Sequence, residues 1–414
     1  MPFSPAAQRL LAGPPLECGP EPLDSHMARL GRLPASTGDR LIGALEASAL
    51  TGRGGAGFPV GRKWRAIADR AEGRAVVVAN GAEGEPASAK DRTLMATRPH
   101  LVLDGAVLAA EAIGADDIVI YIGQEHAAAA AAMTRAVETR RTSIRPRVRV
   151  VRAPIGYIAG EATAAVHYLN VGDARPTGTQ PRISVRGVAD RPTLVQNVET
   201  LGHVALIARY GDAWYRSIGR SGATGSALVT VTGAIRESGV REIELGTTFA
   251  DLVAEAGGLT TAVSAIVLGG YFGTWARPED VWRVALDPEA MQAAGLSFGC
   301  GFIGLLPEGR CGIAVTAAIV RFMSGESAGQ CGPCVLGLGA IADAMQRIAR
   351  GDAGARELAD VRRWTGLTAR LGACRHPDGA VQLMESALGV FDADFIHHVS
   401  TGRCAVADRA LEVA

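Results

Sequence analysis

Lysine and asparagine are almost missing from this 414-residue chain. Only two of its 42 basic residues are lysines, Lys63 and Lys90, and only three asparagines occur, Asn80, Asn170 and Asn197. Wherever a positive charge alone is wanted, the chain writes arginine, a bias we read as GC-rich bacterial coding. Net charge is also absent, since 42 acidic residues balance the 42 basic ones. Bulk electrostatics therefore give no reason to expect nucleic acid or an anionic membrane surface as a partner. No run of about eighteen apolar residues is free of charges, so no membrane span is expected. The Pro-rich stretch 1–23 has no apolar core behind a basic start, which argues against a signal peptide. Seven cysteines in so long a chain do not read as a disulfide framework.

What is present is globular. Apolar residues make up 48% and charged ones 20%, and the length predicts two or three domains. Residues 1–40 read as an irregular arm, and Leu41–Ala49 as a short helix. Ala75–Ala79, Asp117–Gly123 and Arg147–Ala153 read as strands. Helical patterns at His100–Ile113 and from Gln124 to about Arg140 lie between them. That alternation predicts a parallel, Rossmann-like α/β layer over residues 41–220. Glu161–Leu169 and Asn197–Tyr210 read as helices around an Arg/Pro/Gly-rich loop. Ala227–Gly233, Arg241–Leu245, Phe249–Ala256 and Ala265–Leu268 predict a small ββαβ, β-grasp-like module over 221–300. Helical periodicity then dominates 301–414, which predicts a helical bundle.

Four stretches carry candidate chemistry. Gly52–Trp64 holds five glycines in ten positions and then Lys63. Glycines free backbone N–H groups to converge on an anion, and a lysine adds a point charge at a phosphate. A tight turn with close helix packing would use the same residues. Asn80-Gly81-Ala82-Glu83-Gly84-Glu85-Pro86 closes a predicted strand, where open α/β sheets place ligands. It reads equally as a solvated acidic loop, with Lys90-Asp91-Arg92 as a surface charge cluster. Gly156–Thr163 and Val195–Thr200 are helix starts beside loops, for which capping is as good a reading as ligand binding. Cys331-Gly332-Pro333-Cys334, with Cys374 farther on, fits an iron–sulfur cluster, zinc, a redox dithiol or buried free thiols. His376 by itself reads as an ordinary histidine.

Taken together and in this order, the four motifs resemble the NADH-binding flavoprotein subunit of respiratory complex I. They resemble equally the matching subunits of NAD-linked hydrogenases and formate dehydrogenases. The resemblance spans about residues 40–390. It implies an FMN site on the Rossmann-like domain, a β-grasp domain of the SLBB type and a helical domain with a [4Fe–4S] cluster. Carried over by position, it implies FMN contacts at Gly52, Gly54, Lys63, Asn80, Glu83, Tyr157, Gly160, Glu161, Gln196, Asn197 and Thr200. Gly55, Phe58 and Glu85 fall near the nicotinamide nucleotide, NADH or NADPH, and Cys331, Cys334 and Cys374 among the cluster ligands. Both lysines and two of the three asparagines lie within these segments.

The departures from the family pattern are as informative. Ala82 and Ala162 stand where the family has carboxylates. The aromatic loop that helps hold adenine is replaced by Ser184-Val185-Arg186-Gly187-Val188, in which Arg186 offers a guanidinium to a base or a 2′-phosphate. Ala328 replaces the first cluster cysteine, which leaves the fourth ligand to His376, Cys300, Cys311 or an exogenous group, with a chain that has lost the cluster as the other alternative. The resemblance implies hydride transfer from the nucleotide to FMN and single-electron exit to a separate iron–sulfur or ferredoxin-like partner subunit. It implies a cytoplasmic protein, free or peripheral to a membrane complex. The altered positions keep open a relay or docking subunit that has lost its nucleotide.

Overall fold

The computed structural model describes residues 8–35, 38–178 and 180–406. Contacts divide the chain into two compact units, residues 1–230 with 240–247, and residues 231–239 with 248–414. In the first unit, β1 (Ala75–Gly81), β2 (Ala115–Gly123), β3 (Arg147–Ala153) and β4 (Thr193–Asn197) form a sheet in the order β3-β2-β1-β4. All three pairings are parallel. The apolar run of β1 is what a strand covered on both faces requires. Ala75, Val77 and Ala79 enter the core on one side, while Val76 and Val78 enter it on the other.

The helices of this unit are α1 (Leu23–Leu30), α2 (Gly38–Ser48), α3 (Val60–Ala71), α4 (Lys90–Thr97), α5 (Pro99–Ile113), α6 (Ala127–Arg140), α7 (Ala162–Val171), α8 (Val198–Tyr210) and the single turn α9 (Asp212–Tyr215). Residues of α2, α3, α5, α6 and α8 fill the larger core, and Ala165 and Val166 of α7 fill the opposite one. From β1 the chain steps outward to β2 and β3, then returns to the far side of β1 as β4. Such a reversal of strand order leaves a crevice outside the carboxyl ends of the two strands that flank it. Here those strands are β1 and β4, and Asn80 stands beside Asn197 in register.

The segment expected to be an irregular arm is ordered in its described part. It contains α1, and its backbone is held by buried charges from elsewhere in the unit. Glu242 accepts from the N–H groups of Arg9, Leu10 and Leu11 at 2.8, 2.8 and 3.1 Å. The Arg98 guanidinium donates to the carbonyls of Leu11 and Ala12 at 2.7 and 2.9 Å. The order comes from these anchors, which local periodicity does not report.

β5 (Ser226–Gly233) and β6 (Gly239–Glu244) lie where the division between the units runs. The second unit contains α10 (Phe249–Glu255), β7 (Val263–Leu268), β8 (Thr274–Ala276), α11 (Pro278–Val281), α12 (Pro288–Ala293) and β9 (Phe302–Pro307). β7 pairs antiparallel with both β8 and β9. The helical region follows as α13 (Gly312–Gly325), α14 (Gly339–Arg350), α15 (Ala355–Thr368), α16 (His376–Val390) and α17 (Asp392–Thr401). Among the described residues no helix is long and apolar enough to cross a membrane.

Candidate functional site

The glycine loop is closed at its base, where Thr51 bridges to Pro59 and the Gly52 N–H donates to Phe58 O at 2.9 Å. Gly55 (φ 97°) and Gly57 (φ 61°) take the left-handed conformation that favours glycine. The loop lies over the start of α8. The Arg53 N–H donates to Thr200 Oγ1 at 2.9 Å, and a Cβ on Gly54 would stand 3.4 Å from Asn197 Cβ. Asn197 caps α8, its Oδ1 accepting from the N–H groups of Glu199 and Thr200 at 3.0 and 3.4 Å. The N–H groups of Gly54, Gly55 and Ala56 make no hydrogen bond among the described residues.

Lys63 sits in the first turn of α3, where the helix dipole disfavours a cation. Its Nζ donates to Val195 O at 2.5 Å. It forms no ion pair among the described residues, and burial pushes its pKa down to about 8. Behind it, Trp64 Nε1 donates to Gln196 Oε1 at 3.3 Å, and both side chains are buried.

The loop after β1 meets the Tyr157–Glu161 segment backbone to backbone. Asn80 Nδ2 donates to Gly160 O at 2.8 Å and its Oδ1 accepts from the Ala82 N–H at 3.2 Å. A Cβ on Gly84 would stand 2.4 Å from Tyr157 O, and one on Gly160 would stand 2.5 Å from Ala82 O. Only glycine permits this crossing. Tyr157 donates its hydroxyl to Glu85 Oε2 at 3.2 Å.

The acidic loop is not a solvated one. Glu83 is buried and holds the start of α4, accepting from Ser88 Oγ at 2.5 Å and from the N–H groups of Asp91 and Arg92 at 3.2 Å each. Burial and the nearby Asp91 charge raise its pKa. Lys90 and Asp91, which read on sequence as a surface cluster, are buried too. Lys90 Nζ lies 2.8 Å from both Asp91 and Glu199. Burial opposes its charge, but Asp91, Glu199 and Glu83 outweigh that and raise its pKa. Asp91 in turn accepts from Asn197 Nδ2 at 2.7 Å, so the cap of α8 is fixed by a buried ion network.

The structure brings Gly52, Gly54, Lys63, Asn80, Gln196, Asn197 and Thr200 to the crevice at the ends of β1 and β4. Tyr157, Gly160 and Glu85 line its continuation. Glu161 belongs to the same wall, but its carboxylate caps α7, accepting from Thr163 and Ala164 N–H at 2.8 and 2.9 Å. Phe58 stands on the rim, 52% exposed. Arg186 is the candidate that does not join them. Its exposed guanidinium pairs with Asp190 at 2.6 Å. Its segment is tied to the opposite, amino end of β4 through Thr193 N–H to Ile183 O.

Two residues that sequence reasoning missed matter here. Buried Arg53 spans Thr51 Oγ1, Tyr215 Oη and Ser226 O at 3.1 Å each, holding the glycine loop from beneath. Gly84 makes the backbone crossing possible. Arginine is too common in this chain, and glycine too, for either to be conspicuous.

In the second unit, Cys334 is buried and lies in a π-helical turn, Pro333–Leu338, that leads into α14. Such turns concentrate at functional sites. Burial and the neighbouring thiols of Cys331 and Cys374 push the Cys334 thiol up to about 12, so the three cysteines share one environment. Three other groups considered as a fourth ligand are engaged elsewhere. His376 Nε2 is 2.7 Å from Met323 O, Cys300 donates to Gly269 O at 3.4 Å, and Cys311 lies 3.6 Å from His398 Nε2.

Known proteins match this arrangement. The Nuo51 FMN-binding domain matches residues 45–206, the SLBB domain 228–280, and the NADH-ubiquinone oxidoreductase-F iron–sulfur binding region 314–398. The NADH-quinone oxidoreductase F-subunit 2 of Rhizobium meliloti (strain 1021) is 32% identical over 385 residues, 89% of this chain and 90% of that protein. The chain belongs to the NADH-quinone oxidoreductase F-subunit family. The family member from Aquifex aeolicus (strain VF5) is 31% identical over 76% of this chain and 75% of that protein. An NAD+-reducing [NiFe]-hydrogenase in its H2-reduced state superposes with a TM-score of 0.81 at 28% identity, covering 91% of this chain and 66% of that one.

The donor set fits both groups that this family implies. Among the described residues, an ammonium without a counter-anion and loop N–H groups without acceptors suit the phosphate of FMN. Three thiols in one environment suit an iron–sulfur cluster with one corner left to another ligand.

Proposed function

We propose that this chain is the nucleotide-oxidising flavoprotein subunit of a larger redox assembly, taking a hydride from NADH or NADPH onto FMN and passing single electrons to a partner. The Lys63 ammonium, which has no counter-anion among the described residues and stands in a matched FMN-binding domain, carries this reading. When bound, FMN supplies an acceptor that fills by two electrons and empties by one, and a [4Fe–4S] cluster supplies the one-electron exit.

The protein's share is placement and exclusion of water. Lys63 and the N–H groups of Gly54 to Ala56 hold the phosphate. Asn80 keeps one N–H and one lone pair for the ring edge. Gly52, Gly160, Gln196, Asn197 and Thr200 shape the floor, while Glu83 and Glu161 act through the helices they cap. Gly55, Phe58, Tyr157 and Glu85 bound the nicotinamide side. Cys331, Cys334 and Cys374 hold the cluster. The electron acceptor is an iron–sulfur or ferredoxin-like protein, and the chain works in the cytoplasm as a peripheral component.

Ala82, Ala162 and the Arg186–Asp190 pair favour a second reading, a flavin and cluster relay without nicotinamide binding. Anaerobic mixing of flavin-loaded protein with NADH and with NADPH separates the two. Bleaching supports the first reading. Persistent yellow colour with either nucleotide supports the second.

A further inference from the structure

Cys311, His398 and Cys404 form a second candidate metal centre, apart from the three thiols assigned to the cluster. Their ligand atoms all lie within 4.8 Å of one another. Cys311 is the residue before α13, His398 lies in the last turn of α17, and Cys404 follows three residues after that helix ends.

The imidazole is prepared for ligation. His398 is buried, 1% exposed, and its Nδ1 lies 3.2 Å from Ile348 O. A carbonyl only accepts, so Nδ1 carries the proton and Nε2 presents its lone pair. Metal-bound histidines are oriented by this kind of hydrogen bond on the far nitrogen. That lone pair faces Cys311 Sγ at 3.6 Å. Zinc ligands at ~2.3 Å (sulfur) and ~2.0 Å (nitrogen) separated by a tetrahedral angle stand about 3.5 Å apart, so the observed spacing is that of two ligands on one ion. Cys311 Sγ also accepts from the Ala314 N–H at 3.4 Å at the amino end of α13, which fixes where the sulfur stands.

Two soft thiolates with one imidazole suit Zn2+ over the oxygen-seeking Mg2+ or Ca2+. We propose that Cys311, His398 and Cys404 bind one zinc ion, with a solvent molecule in the fourth position, joining the start of α13 to the end of α17. The ion would be a structural clamp on the helical region, chemically separate from the Cys331–Cys334–Cys374 site.

The test is metal analysis and zinc K-edge absorption on full-length protein produced anaerobically with zinc in the medium. Flavin and iron do not interfere at that edge. About one zinc per chain is expected, with two sulfur neighbours at ~2.3 Å and one nitrogen at ~2.0 Å. Cys404→Ser and His398→Gln should each lose most of the zinc while FMN, iron and sulfide contents stay at the wild-type level. Cys404 lies outside the helices, so its substitution keeps the test usable if a change at buried His398 impairs folding. Zinc-free wild-type protein, zinc retained by Cys404→Ser, or a Cys311–Cys404 disulfide in non-reducing peptide mapping would each overturn the proposal.

Discussion

Lys63 combines two costs that a merely structural lysine would avoid. Burial lowers its pKa to about 8, and its place in the first turn of α3 sets it against the helix dipole. A bound phosphate would offset both. A charge-assisted hydrogen bond of this kind is worth roughly 1.5–3 kcal/mol, so Lys63→Met should weaken FMN binding by about 10- to 100-fold, as read by quenching of flavin fluorescence. The pH dependence follows in sign. Binding needs the protonated amine, so affinity should hold up to about pH 8 and fall as pH rises beyond it, while the Lys63→Met protein should show no such fall. An affinity equal to wild type in that variant would remove Lys63 from the site. Lys63 was legible in the sequence because lysine is so rare there. Arg53, one of many arginines, became visible only through its buried hydrogen bonds, and Gly84 only through the backbone it crosses.

The elements that place these residues were unevenly legible. β1, β2, β3, α5 and α6 stood out by period and length. β4 did not, since five residues between an Arg/Pro loop and a helix start give too little pattern, yet β4 creates the reversal that opens the crevice. β9 was missed because Phe302–Pro307 falls in the stretch read as helical from residue 301 onward. α4 was hidden because its first residues, Lys90 and Asp91, look like surface charges and are a buried pair. Removing one partner of a buried ion network leaves uncompensated charge and costs about 3–5 kcal/mol. Lys90→Met should therefore destabilise the first unit by that amount in denaturant titrations, and adding Glu199→Gln should recover part of it. A loss below about 1 kcal/mol, the range of an exposed pair, would mean that the network does not hold the cap of α8.

For the molecule as a whole, a further buried ion cluster sets an acid limit: Asp104 of α5 lies 2.8 Å from His26 of α1 in the N-terminal segment. Burial disfavours the Asp104 charge, but the hydrogen bond from His26 and the guanidiniums of Arg140 and Arg209 hold its pKa down to about 2. A carboxylate with a depressed pKa stabilises the fold above its ordinary value near ~4 and loses that contribution as pH falls toward 2. Its share is about 2 kcal/mol. Between about pH 5 and 3 the melting temperature should drop less in Asp104→Asn than in the wild type, although the variant starts lower. Equal drops would place the acid-sensitive group elsewhere.

Whether the assembled site oxidises a nicotinamide nucleotide is decided most directly by anaerobic stopped-flow absorbance of the flavin-loaded protein mixed with NADH or NADPH. The expected result is loss of the yellow flavin band with at least one nucleotide. Colourless protein that cannot be loaded with FMN, or loaded protein that neither nucleotide bleaches, would contradict the account.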